Sequence, residues 1–266
     1  MAKRIELEDV SLSYEERGPA AADAVVFLHG LGGSAYSWWA QLAACEAQGL
    51  RAIAFDQRGA GLSSKPAGPY SVDRWAEDLE RLLDGLGIGR AALVGHSVGC
   101  MIAEHAALRL GERAWGIALL GGALRWRPEA GPVFEERIRL ARAGRMDEIA
   151  AAVAQTGLSE RCRAENPALH GLLCHLIASN DPGAYADSAA ATAVAEVVEP
   201  GRLACPALAF CGELDPVTPP SAAEAIADAI PKARAATVEG AAHWCQLEAP
   251  DAVNEILLGF LARLAT

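Results

Sequence analysis

The sequence has no long apolar run. It contains no stretch of about 20 uninterrupted apolar residues, the length that a membrane-spanning helix needs. The first ten residues, MAKRIELEDV, alternate charged and apolar side chains as a first β-strand would, and they include no apolar segment of signal-peptide length. We therefore expect no association with a membrane and a cytoplasmic location.

Paired cysteines are also missing. The seven cysteines are odd in number, and none of them forms a C-x-x-C pair or a spaced Cys/His set. This usage is typical of reduced cysteines that act as small apolar residues in a cytosolic protein. It predicts neither a disulfide framework nor a metal site.

Positive charge is scarce. There are 23 Lys and Arg against 34 Asp and Glu, which gives a net charge of −11. Such a balance argues against nucleic acid and anionic membranes as partners. With 266 residues, 52% of them hydrophobic, the chain is too apolar to be disordered and long enough to bury one large core. We expect a monomer or a small homo-oligomer that acts on a small molecule.

The first half of the chain does contain short apolar segments. Four of them, rich in β-branched and aromatic residues, lie at 24–30, 51–59, 91–97 and 115–122. Unbroken apolar runs of this length fit strands that are buried on both faces of a parallel sheet. Residues 72–87 instead place apolar side chains at helical spacing and stop at a glycine. This strand–helix–strand repetition predicts an α/β fold with a doubly wound, mostly parallel sheet.

The alternation stops after residue 122. Up to residue 200 the segments are helix-like and none is a convincing strand; the main ones lie at 133–144, 146–157, 168–179 and 184–198. Strand-like runs return at 206–212 and 233–240. We predict a core formed by residues 1–122 and 201–266, interrupted by a helical cap at residues 123–200.

The segment LVGHSVGCMI, residues 93–102, places Ser97 between two glycines where a strand gives way to a helix. A serine on so sharp a turn is held in a strained backbone conformation, and its hydroxyl projects at the carboxyl edge of the sheet. The alternative is a serine that only caps the helix. We favour a nucleophile, which needs a base to become reactive.

His243 is the best candidate for that base among the six histidines. It lies in a loop just after the last predicted strand, whereas His29 and His96 are better interpreted as scaffold residues that bind nearby backbone. The base in turn needs a carboxylate that fixes its tautomer. Asp215, just past the preceding strand, is the first choice, and Glu213 is the alternative.

An oxyanion hole requires two backbone N–H groups aimed at the developing negative charge. Val98, the residue after the candidate nucleophile, supplies one. The glycine-rich segment HGLGGS follows the first core strand and lets the backbone approach a substrate closely, so Leu31 is the natural second donor.

These stretches, together with DQRGAGLSSKP, GELDPVTP and GAAHWCQLEAP, resemble the α/β-hydrolase family in order and spacing over nearly the whole chain. The resemblance implies that fold, with Ser97 as nucleophile, Asp215 as acid, His243 as base, and Leu31 and Val98 as oxyanion donors. It implies an architectural turn rather than catalysis for Asp56 and Arg58. Within the family the chain is most similar to the 3-oxoadipate enol-lactonase and small carboxylesterase group. Cys100 departs from the pattern, because relatives more often carry glycine there, and we expect it to narrow the space behind the nucleophile.

The expected activity is hydrolysis of a small carboxylic ester or an (enol-)lactone through an acyl-enzyme, with no cofactor and no metal. The same residues also serve carbon–carbon bond hydrolysis and perhydrolysis, and a ligand-binding protein on this scaffold is a third alternative. For substrate contacts we predict Trp126 as an apolar wall, Trp244 beside the base, and Arg125 or Arg127 for a substrate carboxylate. The alternatives are core packing for Trp244 and a plain surface role for each arginine.

Overall fold

The structure, a computed structural model, describes residues 2–264. Its centre is one eight-stranded sheet in the order β1-β2-β4-β3-β5-β6-β7-β8. The strands are β1 (Lys3–Glu6), β2 (Ser11–Arg17), β3 (Ala24–Leu28), β4 (Arg51–Phe55), β5 (Ala91–His96), β6 (Ala114–Leu120), β7 (Ala207–Gly212) and β8 (Ala233–Val238). β1 pairs antiparallel with β2 and β2 with β4, while every other neighbouring pair is parallel.

The helices cover both faces of this sheet. They are α1 (Trp39–Ala47), α2 (Val72–Gly85), α3 (Val98–Leu110), α4 (Ala130–Arg142), α5 (Met146–Gly157), α6 (Glu160–Glu165), α7 (Pro167–Ala178), α8 (Pro182–Ala193), α9 (Pro220–Ala229), α10 (Cys245–Glu248) and α11 (Pro250–Ala262). None of the helices within residues 2–264 is long and apolar enough to cross a membrane.

Alternating side chains of the central strands feed two separate cores. In β3, Val26 and Leu28 pack with the α2 and α3 side, whereas Val25 and Phe27 pack with α1 and α11 on the other face. Each fully buried aliphatic side chain, such as Leu79 of α2, contributes about 1.5–3 kcal/mol relative to an exposed one. The doubly wound, mostly parallel sheet predicted from the sequence is confirmed.

The antiparallel strand β2 is absent from the sequence prediction. Its residues, SLSYEER, mix polar and apolar side chains, because its Glu16 and Arg17 are only half-buried near the edge of the sheet. It was therefore harder to recognise than the wholly apolar runs.

Five helices, α4 to α8, lie between β6 and β7 and build an apolar cluster of their own. The helix expected over 184–198 ends at Ala193. Three β-branched valines follow it, and Pro200 then disfavours a helical conformation in the residue before it. The short helix α6 is absent from the sequence prediction. We retain as a proposal the division into a core of residues 1–122 and 201–266 and a cap of residues 123–200.

Candidate active site

Ser97 occupies the tight turn between β5 and α3. Its φ of 53° makes it one of two non-glycine residues with positive φ in the described chain, a conformation that costs about 1–3 kcal/mol. A Cβ at Gly95 would lie 2.3 Å from the Gly99 carbonyl oxygen, and one at Gly99 would lie 2.3 Å from that of Leu28. The two flanking glycines are therefore required by close backbone contact.

His243 and Asp215 meet at the carboxyl edge of the sheet. The His243 Nδ1–H donates to Asp215 Oδ2 over 2.8 Å, and both side chains are buried. Thr218 Oγ1 donates to the same carboxylate oxygen at 2.8 Å, while the Val217 and Thr218 backbone N–H groups donate to Oδ1. The carboxylate thus holds the imidazole with Nε2 free to face away from it.

Glu213, the alternative acid, is engaged elsewhere. Its Oε2 accepts a hydrogen bond from the Gly240 backbone N–H over 2.9 Å, so it ties down the loop after β8. Of the two carboxylates that follow β7, it is Asp215 that contacts the imidazole.

The charge of Asp215 is stabilised despite its burial. Burial alone would raise the pKa of this carboxyl, but the charge of His243 and the hydrogen bonds from His243 and Thr218 hold the pKa below its ordinary value. An ionised acceptor is what an imidazolium forming at His243 would need.

Ser97 and His243 line the same cavity. Within residues 2–264 the Ser97 hydroxyl makes no hydrogen bond to the imidazole, and such contacts often tighten only when substrate binds. Gly121, at φ 61°, makes room for the ring, because a Cβ there would lie 3.2 Å from His243 Cε1.

His96, next to Ser97, is fully buried and ties the two loops together. Its Nε2 donates to the His243 carbonyl oxygen over 2.9 Å, and the two ring centroids are 4.9 Å apart. Burial, reinforced by the charge of His243, lowers the pKa of His96 to about 3, so its ring is neutral. His29 also has the scaffold position expected, since it contacts the Gly30 carbonyl oxygen and receives the Gln57 N–H.

The backbone N–H groups of Leu31 and Val98 are both uncommitted. Neither donates a hydrogen bond within the part of the chain that the structure describes. Val98 is the first residue of α3, where N–H groups have no partner within the helix and the positive end of the helix dipole lies. Leu31 lies in the glycine-rich turn after β3 and lines the cavity beside Ser97.

The cavity has a volume of about 600 Å³ and walls that are largely apolar. Trp126 lines it, packs edge-on against Phe134 with ring centroids 5.7 Å apart, and donates its Nε1–H to the Thr192 carbonyl over 2.9 Å. Trp244 also lines it and is 3% exposed, because it packs into the cluster formed by α4 to α8. Trp244 therefore both lines the cavity and packs in the core, the two roles that the sequence left as alternatives.

Three arginines face this cavity. Arg127 is exposed, and its Nη2 donates hydrogen bonds to the Pro216 and Val217 carbonyls. These bonds hold the loop that carries Asp215. Arg125 is exposed and has no hydrogen bond or ion pair within residues 2–264. The third, Arg137 of α4, was not singled out from the sequence. Its spacing could have revealed it, since it falls three residues after the buried Phe134 and four before the buried Ala141.

Asp56 and Arg58 serve the framework, as expected. Asp56 accepts the Ala35 and Leu62 backbone N–H groups, each over 2.7 Å. Arg58 forms a two-pronged ion pair with buried Asp78 at 2.6 and 2.7 Å.

Cys100 does not border the cavity. Its thiol points toward the carbonyls of Gly95 and Leu120, so it fills space between α3 and the sheet. The expectation that it narrows the space behind the nucleophile therefore has no support in the cavity wall.

A family model described as the alpha/beta hydrolase fold matches residues 23–160, and one described as TAP-like protein matches residues 176–265. The chain belongs to the alpha/beta hydrolase family. This α/β-hydrolase is 29% identical to 3-oxoadipate enol-lactonase 2 of Acinetobacter baylyi, covering 96% of this chain and 95% of that protein. It is also 29% identical to the putative carbamate hydrolase RutD of Azorhizobium caulinodans, over 96% and 97% of the two chains.

The fold of this α/β-hydrolase is shared with a solved enol-lactonase from Burkholderia xenovorans LB400. The TM-score is 0.92 at 28% identity, over 98% of this chain and 100% of that one. The resemblance to the enol-lactonase group inferred from the sequence is thereby confirmed. The relatives named here are hydrolases of more than one bond type.

Proposed function

We propose that this protein hydrolyses a small carboxylic ester or lactone through a covalent acyl-enzyme. The observation that carries the proposal is the 2.8 Å contact between His243 and Asp215 at the wall of a cavity that also holds the strained Ser97. Nucleophile, acid and base then follow one another along the chain as Ser97, Asp215 and His243, the order found in α/β-hydrolases.

In the proposed reaction, Ser97 Oγ attacks the substrate carbonyl carbon while His243 Nε2 takes the hydroxyl proton. The resulting imidazolium is stabilised by Asp215. His243 then returns the proton to the leaving oxygen, which frees the alcohol and leaves an acyl ester on Ser97. Water, deprotonated by the same imidazole, hydrolyses that ester. In a lactone the leaving oxygen belongs to the same molecule as the acyl group, so this second step releases a single product that carries both.

The uncommitted N–H groups of Leu31 and Val98 are the proposed oxyanion donors. Removing one such donor costs about 3–4 kcal/mol of barrier in a well-studied case. No step needs a cofactor or a metal ion.

The enol-lactonases among the relatives support an ester or lactone, while the RutD relative is named for a carbamate. The cavity of about 600 Å³ favours a small substrate with apolar parts, for which Trp126 and Trp244 supply the wall. Carbon–carbon hydrolysis, perhydrolysis and plain ligand binding remain the alternatives to be tested against ester cleavage.

The test compares the wild type with Ser97→Ala on a chromogenic acetate ester, and asks whether a fluorophosphonate labels Ser97. The matched control is Ser179→Ala, because Ser179 is also hydrogen-bonded to a histidine, His175, but lies exposed and outside the cavity. We expect Ser97→Ala to lose turnover and labelling, and Ser179→Ala to keep both. Equal turnover by the wild type and Ser97→Ala would refute the proposal and favour a binding protein.

A further inference from the structure

Helices α6 and α7 connect two loops that carry candidate catalytic groups. One is the oxyanion loop, residues 29–33, which includes the candidate donor Leu31. The other is the base loop, residues 239–244, which carries the candidate base. The segment of residues 159–180, here called the bridge, contains both helices and is hydrogen-bonded toward one loop at each of its ends.

Glu248 links the base loop to the first residue of the bridge. Its Oε2 accepts the backbone N–H of Ala242, the residue before the candidate base, over 3.1 Å. The same carboxylate accepts the Ser159 backbone N–H over 3.1 Å and the Ser159 hydroxyl. Directly before the bridge, the Gly157 carbonyl accepts the Trp244 N–H over 2.9 Å. The base loop is therefore bonded to the inserted helices on both sides of the imidazole.

Asn180 links the last residue of the bridge to the oxyanion loop. Its Nδ2 donates to the Gly32 carbonyl over 2.9 Å and is also within hydrogen-bond distance of the Leu176 and Ile177 carbonyls. Gly32 has a φ of 77°, and a Cβ there would lie 2.8 Å from Ile177 Cδ1. The end of α7 therefore packs directly against the residue that follows Leu31.

Between these two ends the bridge is a packed unit. Leu173 and Ile177 of α7 are fully buried in the apolar cluster of the inserted helices. Asn166 joins α6 to α7, because its backbone N–H donates to the Cys162 carbonyl over 2.8 Å and its side chain accepts the Leu169 N–H over 3.0 Å. Close-packed interiors have low compressibility and transmit strain. A displacement at one end of the bridge is therefore expected to reach the other end.

We propose that Glu248 and Asn180 are positioning residues, and that the bridge between them holds the oxyanion donor and the base at a fixed separation. Neither side chain borders the cavity, so each acts through the loop that it holds. His96 holds the base loop from the core, and the bridge holds it from the inserted helices. This inference rests on the proposed function for the roles of donor and base, and on the hydrogen bonds alone for the mechanical link.

The experiment cuts the link at each end with side chains of similar size. Glu248→Met removes the acceptor and Asn180→Leu removes the donor, whereas Glu248→Gln keeps a carbonyl oxygen for the two backbone N–H groups. The matched control is Glu213→Met. Glu213 also anchors the base loop, at the Gly240 N–H, but has no hydrogen bond or ion pair to the bridge within the described chain. Both kcat and KM on the chromogenic acetate ester are measured for the single variants and for Asn180→Leu combined with Glu248→Met or with Glu213→Met.

We expect Glu248→Met and Asn180→Leu each to lower kcat about 10-fold with little change in KM, because a displaced base or donor weakens the transition state more than substrate binding. Once one end is cut, the bridge no longer fixes the separation. The double variant should therefore stay about 10-fold below the wild type, rather than the about 100-fold expected of independent sites. Glu248→Gln should remain close to the wild type, and the losses from Glu213→Met and Asn180→Leu should multiply. Losses that multiply for Glu248→Met and Asn180→Leu as well would overturn the proposal, since they would show two separate local anchors.

Hydrogen exchange tests the link without any turnover. Asn180→Leu leaves Glu248 in place, yet it should speed the exchange of the Ala242 and Trp244 amides in the base loop. Unchanged exchange at both amides would refute the bridge, and so would equal acceleration in the central strand β5, which would show a general loss of stability. Faster exchange confined to the two loops, in a protein that cleaves no ester, would support the bridge and count against the proposed function instead.

Discussion

A buried glutamate behind the candidate nucleophile makes the stability of this protein depend on pH. Glu104 lies on α3, is 7% exposed, and its carboxyl has no hydrogen bond or ion pair within residues 2–264. Burial raises its pKa from 4.5 to about 8. The folded protein therefore keeps a proton on Glu104 at pH values where the unfolded chain has lost it.

The sign of the effect follows from proton linkage. Between pH 4.5 and about 8 the native state binds more protons at Glu104 than the unfolded state, so the free energy of unfolding falls as the pH rises. The contribution is fully present below pH 4.5 and is lost above about pH 8. At pH 7 the difference of 7 − 4.5 = 2.5 pH units corresponds to a loss of about 3 kcal/mol, at about 1.36 kcal/mol per unit.

Glu104→Gln tests this, because the amide has the same size and cannot ionise. We expect the variant and the wild type to be similar at pH 4.5, and the variant to be more stable by about 3 kcal/mol at pH 7. Urea unfolding at a series of pH values measures the difference in the free energy of unfolding between the two proteins. The contributions of the other titrating groups are the same in both and cancel in this difference. The control is Glu112→Gln, since Glu112 is exposed just beyond the same helix.

A stability difference between Glu104→Gln and the wild type that stays constant from pH 4.5 to 8 would refute the reasoning. It would mean that water or a partner group reaches the carboxyl in the folded state. A rise in wild-type stability across the same window, absent from the variant, would contradict the sign directly.

Three further predictions concern the proposed mechanism and its framework. Asp215→Asn should lower kcat about 10⁴-fold with little change in fold, because an amide does not stabilise the imidazolium; activity within tenfold of wild type in an ester assay would contradict this. His96→Gln should keep more activity than His96→Leu, because a Gln amide can donate to the His243 carbonyl where the ring now does; equal kcat values would show that the hydrogen bond has no role. Gly99→Ala should lower the free energy of unfolding by about 1–3 kcal/mol, because its methyl group would meet the Leu28 carbonyl; an unchanged urea midpoint would contradict the required close contact.

The sheet and the candidate site could be predicted because each depends on local patterns that recur in a fixed order. The strands that precede Ser97 and Asp215 are short buried runs, and the strand before His243, ARAATV, is a more polar strand at the end of the sheet. All three are parallel, and parallel strands bring their carboxyl ends to one edge. The choice between Asp215 and Glu213 did not follow from the sequence, because both carboxylates come after the same strand. Only the relative position of two loops, one after β7 and one after β8, decides which of them contacts the imidazole.

Contacts between distant segments were also beyond sequence reasoning. The hydrogen bond from His96 to the His243 carbonyl joins residues 147 positions apart. Arg137 was not predicted either, because the sequence around it indicates only a helix. That Arg137 lines the same cavity as Ser97 depends on how the inserted helices fold back over the sheet.

The distance between Ser97 and His243 is set by the backbone rather than by a direct bond between their side chains. Ser97 N–H donates to the Leu120 carbonyl over 2.9 Å, so the turn that carries Ser97 is attached to β6. His96, the residue before Ser97, is hydrogen-bonded to the backbone of the loop that carries His243. Gly121, the residue after Leu120, leaves space for the His243 ring. The hydroxyl can therefore rotate toward the cavity or toward His243 while both loops stay in place. If the proposed ester hydrolysis holds, such a site needs little rearrangement of its loops when substrate binds, and its rate should depend chiefly on how the helices between β6 and β7 orient the substrate.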